Sequence, residues 1–416
     1  MPIAFSRRLT PAITLAALTV VLNGCANKPS GPSEPSSPGV GTGGGGAGGT
    51  PIIVGEYGSL TGPQSTFGTS TDAGVQLALA TVNKAGGVNG HPLQLAEGHC
   101  LNDESKPDTT LTVIQKMTTQ DNPTAVLGEV ASTLSLTAAP VCDKAQIPMI
   151  SPSSTNPKVT QIGPYIFRVC FIDQFQGKAE AEFAFNNLKA KRAAILTDQK
   201  SDYSTGLTQF FTQSFQQLGG QVVSAQIYAA GALDFHPQLQ QIAAQRPDVL
   251  YVPGYYTDIG PIAKQAREVG LKAPLLGGDG WDSPALVKGA GGPGGALEGS
   301  YFTDHYSVNS TDPTVQQFVS AYKAANKGAV PDALAALGYD AAGVLIAAMK
   351  TIPAPPDGNY ASASYRAKLR DAIAATKSYK GVTGTITIGP DRNAVKPASV
   401  LRIVGDQFQL AATINP

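Results

Sequence analysis

Hydrophobic residues along this chain fall into short runs and helical faces that alternate. Ile52-Ile53-Val54 is an apolar run ending in Gly55, the pattern of a strand buried on both faces. Residues 72–84 then place Val75, Ala78, Leu79 and Val82 on one helical face, and Gly86-Gly87 stops the helix. The same reading predicts a strand at 125–128, a helix at 132–144 and a strand at 148–151. A second series opens with Ala193-Ala194-Ile195-Leu196. Its helix carries Leu207, Phe211, Phe215 and Leu218 and closes at Gly219-Gly220. Strands at 249–252 and 274–277 continue it, with Ile262, Ala266 and Val269 marking a helical face between them. Alternation of this kind builds parallel sheets covered by helices. The units are too many for one compact sheet, so the fold class expected is α/β, with two doubly wound parallel-sheet lobes.

The first fifty residues follow a different rule. Arg7 and Arg8 precede an apolar run from Ala12 to Leu22 that is too short to span a bilayer comfortably, as in an export signal. The run ends in Leu22-Asn23-Gly24-Cys25, which resembles the lipobox of bacterial lipoproteins; Asn23 departs from the usual small or apolar residue. The expectation is a signal peptide at 1–24 and a lipidated Cys25, against the plainer reading of an ordinary secretory signal with a chance cysteine. Asn27 to Thr50 is almost entirely Pro, Ser, Gly and Thr, and can bury no core. Residues 25–50 therefore read as a lipidated cysteine and a flexible tether with a reach of roughly 25–30 Å. No later segment reads as a transmembrane helix.

Composition narrows the function classes. The chain has 416 residues, 30 basic and 30 acidic. Losing residues 1–24 removes only Arg7 and Arg8, leaving 28 basic against 30 acidic residues and a net charge of −2. No basic excess exists to neutralise nucleic-acid phosphates, so no nucleic-acid partner is expected. Four cysteines exclude a disulfide-dense scaffold. Once Cys25 is acylated, Cys100, Cys142 and Cys170 remain, and in an oxidising compartment one pair could bridge. His91, His99, His236 and His305 are scattered without metal-ligand spacing, and no cofactor motif is present.

In doubly wound sheets ligands sit where strands run into helices. Those positions carry Phe67 after the first strand, then Ser132, then Ser153 and Thr155. In the second series they carry Tyr203, Tyr255, Asp279 and Trp281. The first group offers hydroxyls and a helix N-terminus at Ser132, which suits a carboxylate. In the second, Asp279 accepts an ammonium while Tyr203, Tyr255 and Trp281 supply flat apolar surface. Together they suit a small zwitterion such as an α-amino acid. Each has a plainer reading: Ser132 as an N-cap, Asp279 as a turn residue, residues 153–155 as a polar loop, the tyrosines as core.

Several stretches, in order, resemble the leucine/isoleucine/valine-binding family, the periplasmic receptors of branched-chain amino-acid ABC transporters. They are Thr81-Val82-Asn83-Lys84-Ala85-Gly86-Gly87-Val88-Asn89-Gly90, residues 148–157, Tyr165-Ile166-Phe167-Arg168, residues 264–271 and Gly338-Tyr339-Asp340-Ala341-Ala342. The resemblance covers about residues 51–410. It implies a type I periplasmic binding protein with a three-segment hinge, lobe one at 51–171 plus 304–386 and lobe two at 172–303 plus 387–416. It also implies that Ser132, Ser153 and Thr155 hold the ligand carboxylate, that Asp279 holds its ammonium, and that Phe67, Tyr203 and Tyr255 touch it. Asp279 stands where the best-known leucine-type receptors carry Glu, and Phe67 where they carry Tyr, so the ligand itself stays open. The partners implied are a small amino acid, an ABC permease and a membrane reached through the lipid anchor; a monomer is expected, in the periplasm or at the cell surface. Two rivals stand beside this reading. One is a sensing receptor of the same fold for amides, ureas or other small metabolites. The other is an exported hydrolase using Asp198 or Asp279 as a base, for which no nucleophile is in place.

Overall fold

The computed structural model describes residues 48–416. The expected signal peptide, Cys25 and most of the expected tether lie outside the described residues.

Two sheets organise the body. The first has the strand order Leu93–Leu95, Ile52–Gly58, Val126–Leu127, Met149–Ser151, Ile166–Arg168, all parallel, with Leu101–Asn102 also pairing with Ile52–Gly58. The second has the order Gln407–Ile414, Ala398–Val404, Tyr301–Asp304, Leu275–Gly277, Val249–Tyr251, Arg192–Asp198, Gln221–Tyr228. Five of its strands are parallel. Ala398–Val404 and Gln407–Ile414 form an antiparallel hairpin on its edge, so the expectation of two parallel sheets is corrected at that edge. A hairpin needs only the two-residue turn at Gly405-Asp406, whereas another parallel strand would need a full crossover.

The chain passes between the sheets three times: after Ile166–Arg168, after Tyr301–Asp304, and between Gly384–Ile386 and Ala398–Val404. The first sheet is covered by Ser65–Lys84 and Ala333–Lys350, whose apolar faces meet Val54, Leu127 and Ile150 in one core. These two helices touch at backbone level. A Cβ at Gly74 would lie 2.0 Å from the Ala335 carbonyl oxygen, and one at Gly338 2.4 Å from that of Thr71. Glycine is required at both positions because nothing larger fits between the helices. Ala333–Lys350 is long and apolar enough to cross a membrane, contrary to the sequence expectation, but 78% of it is buried as a core helix.

The sequence places the first helix at residue 72, but it begins at Ser65. Its opening turns, Ser65-Thr66-Phe67-Gly68-Thr69-Ser70-Thr71, are poor helix formers. Packing holds them: Phe67, Gly68 and Thr71 are all buried. Ser132–Lys144 runs as expected, but its N-cap is Ala131, so Ser132 is the first helical residue and not a cap. Cys100, Cys142 and Cys170 are all free and buried, so no pair bridges.

Candidate functional site

The strand ends of the two sheets face each other, and Asp279 sits at the junction. It follows the strand Leu275–Gly277, in a single helical turn Asp279–Trp281. Its Oδ1 accepts from Tyr203 Oη at 2.8 Å and Gln176 Nε2 at 2.9 Å. Its Oδ2 accepts from His305 Nε2 at 3.0 Å and from Ser153 Oγ, across from the first sheet, at 3.4 Å. Burial acts to raise this carboxyl, but the bonds from His305, Gln176 and Tyr203 outweigh it and hold it below the ordinary aspartate range. Burial lowers His305 despite the carboxylate beside it. The imidazole points its Nε2 hydrogen at Asp279. It stacks on Phe171 at 3.9 Å between ring centres, and its Nδ1 has no partner.

A small cavity of about 10 Å³, room for about one water, lies against this carboxylate, lined by Phe67, Val130, Ser153, Tyr203, Tyr255, Asp279, Gly280 and Leu334. The aromatic wall is rigid. Tyr203 and Tyr255 stack at 5.1 Å, and Phe67 meets Tyr255 edge-on at 5.8 Å. The Tyr203 hydroxyl is fixed twice, donating to Asp279 and accepting from the Gly280 amide at 3.0 Å. A larger groove beside Tyr306, Pro331 and Phe408 opens to the outside. None of Phe67, Ser153, Tyr203, Tyr255 and Asp279 lines it, so we place the candidate site in the smaller cavity.

Ser132 and Thr155 stand next to this wall and do not line the cavity. Ser132 Oγ accepts from the Asn156 amide at 3.2 Å. Thr155 Oγ1 is buried with no hydrogen-bond partner. The helix above them opens on Ala131, with no side chain capping its first turn, so its leading N–H groups remain directed outward. Trp281 is not brought into the cavity, which corrects its place among the candidates. Its indole is fully buried, donates to the Val252 carbonyl at 3.0 Å and packs in the core of the second lobe beside Phe302. Trp281 has an N–H that must be satisfied once buried, and the end of the strand Val249–Tyr251 supplies the acceptor.

His305, Gln176, Val130 and Leu334 were missed. His305 follows the strand Tyr301–Asp304 directly, so the strand-end rule would have found it had that strand been recognised. Gln176 lies a turn inside the helix Asp173–Glu182, where no strand-end signal exists.

Further bonds hold the lobes together. Asn156 Nδ2 donates to the Asp202 carbonyl at 2.7 Å, and the Asp202 amide donates to Thr133 Oγ1 at 3.2 Å. The Ala333 amide donates to Asp282 at 2.6 Å, and the Thr66 and Ser283 hydroxyls meet at 3.0 Å. The body is thus in a closed form.

Residues 51–407 match the family model described as "Periplasmic binding protein". An amino acid binding protein of Pseudomonas aeruginosa is 33% identical over 58% of this chain, a match spanning 64% of that relative's length. The leucine-specific-binding protein of Salmonella typhimurium is 31% identical over 65% of this chain and 71% of its own. The crystal structure of leucine binding protein LivK from Thermotoga maritima superposes with a TM-score of 0.80 at 36% identity, covering 88% of this chain and 99% of that one. A match across the whole body, the two-lobed fold and relatives of this kind agree: the chain belongs to the periplasmic binding protein family, the extracytoplasmic solute-binding proteins, and within it to the branched-chain amino-acid binding group.

Proposed function

We propose that this protein captures a small amino acid, branched-chain or similar, between its lobes and delivers it to an ABC permease. The observation that carries the reading is Asp279: a buried carboxylate, held below the ordinary aspartate range, on the wall of a small cavity whose other lining is mostly aromatic and aliphatic. In this reading the ammonium binds Asp279 and displaces the long bond from Ser153. The carboxylate takes the leading N–H groups of the helix Ser132–Lys144 and the unpaired Thr155 hydroxyl. The side chain lies against Phe67, Val130, Tyr255 and Leu334. Closure excludes water and strengthens each of these bonds. No bond is made or broken, so the role is binding and not catalysis. Cys25, acylated, would leash the body to a membrane; loss of radiolabelled-lipid incorporation in Cys25→Ser checks that part.

The alternative, a receptor for amides or ureas, draws on one observation. Asp279 already accepts four hydrogen bonds, and a neutral N–H donor replaces one of them without bringing a new charge into the cavity. Calorimetry with leucine, isoleucine, valine and alanine against neutral amides and ureas that carry no amino group, such as isovaleramide and acetamide, decides. Binding of the zwitterions with weaker or absent binding of the amides supports the first reading, and the reverse order overturns it.

A further inference from the structure

A second polar cluster lies in the first lobe and takes no part in the cavity. Glu56 is on the central strand Ile52–Gly58 and is 1% exposed. Neither of its carboxylate oxygens has a hydrogen-bond partner. A carboxylate stripped of water and left without donors is unstable as an anion unless a proton or a cation neutralises it. One ligand atom each from Glu56, Asp72 and Cys100 lies within 4.8 Å of the others. The groups acting on Cys100 after burial are Glu56, Asp72, Glu129 and Asp103, all acids. Among the described residues no lysine or arginine pairs with Glu56 or Asp72.

We propose that Glu56, Asp72 and Cys100 form a site for a thiophilic divalent cation, zinc or cadmium. The donor set is two carboxylate oxygens and one sulfur, a combination that zinc accepts with a water as fourth ligand. Tetrahedral zinc with bonds of about 2.0–2.3 Å needs ligand atoms roughly 3.5 Å apart, so the three groups contract slightly around it. Asp72 is half-buried at the rim and provides the entrance. Gln76 Nε2 donates to both Asp72 oxygens at 2.8 Å and orients that carboxylate, as an outer partner of a metal ligand does. Cys100 spends its S–H only on a weak 3.8 Å contact to the Leu101 carbonyl, and gives up that proton when the metal binds. None of the four histidines takes part.

The plain alternative is a single proton shared between Glu56 and Asp72. It leaves Cys100 with no role, and that separates the two. The test uses the full chain carrying Cys25→Ser, so that the three buried thiols are the only ones left. After chelator treatment it is titrated with zinc by calorimetry and with cadmium by cadmium–thiolate charge-transfer absorption. The expected result is one ion per chain, a charge-transfer band, and a higher thermal midpoint with zinc. Cys100→Ser is expected to lose the band and weaken zinc binding at least tenfold, and Glu56→Gln to weaken it at least tenfold, while Cys142→Ser leaves both unchanged. Absence of the band at saturating cadmium overturns the proposal, and so does a band that survives Cys100→Ser. Should Glu56→Gln fail to fold, Asp72→Asn at the half-exposed rim makes the same test.

Discussion

Ser153 Oγ and Asp279 Oδ2 meet at 3.4 Å, one from the first lobe and one from the second, and this is the longest of the four bonds that Asp279 accepts. A guest's ammonium therefore has an evident place to enter. Removing Asp279 leaves that ammonium buried and unpaired, which costs roughly 2–5 kcal/mol. Asp279→Ala is expected to weaken amino-acid binding at least tenfold, whereas Ser153→Ala, which spares the other three donors, should change it less than the aspartate substitution does. Calorimetry on both variants checks the order; equal losses would mean that Ser153 is itself a main ligand.

The bond from Asn156 to the Asp202 backbone is a direct tie between the lobes. Its neighbour Lys158 reaches the Asp202 carboxylate at 3.7 Å but is largely exposed and adds little. Asn156→Ala should shift the ligand-free protein toward the open form by about 1 kcal/mol, the worth of one hydrogen bond. Small-angle scattering should show a larger radius of gyration without ligand and recovery of the closed value at saturating ligand. An unchanged radius without ligand would remove Asn156 from the latch.

Stability should fall as pH rises through the neutral range. Burial pushes Glu180 up to about 8, against the hydrogen bonds from Tyr251 and Thr303 that lower it. Burial likewise pushes Glu129 and Asp282 up to about 8. Their unfolded counterparts titrate at about 4. Between these values the folded chain holds protons that the unfolded chain has released, so this contribution is complete below about pH 4 and is lost as pH rises through 8. His305 is lowered and opposes folding only below about pH 6.5, while the contribution of Asp279 is lost only below the ordinary aspartate range near 3.9. The thermal midpoint is therefore expected to be higher at about pH 6.5 than at about pH 8.5. A rise over that interval, read by calorimetric scanning, would show that these carboxyls are already ionised.

The strand runs and helix faces were readable because burial on both sides of a sheet leaves continuous apolar stretches such as Ala193–Leu196. Short pairs such as Leu101–Asn102 leave no such trace. The opening turns of the first helix were hidden because Ser, Thr and Gly look like loop, and only the packing of Phe67 and Gly68 against the body holds them helical. At the site, Phe67, Ser153, Tyr203, Tyr255 and Asp279 share one cavity. Trp281 could not be told from them by position, since the residue after a strand can turn either into the gap or back into the core. His305 was set aside because a lone histidine carries no pattern; only the fold shows that its ring reaches Asp279.

The paired glycines Gly74 and Gly338 come from segments 264 positions apart, and the surfaces they bring together belong to one core. The first lobe thus has no finished interior until more than four fifths of the polypeptide has been made. A nascent chain that ends before Lys350 leaves the face of Ser65–Lys84 uncovered and cannot settle into its native state. Such dependence on distant partners slows folding and keeps the newly made chain loose until nearly all of it has emerged.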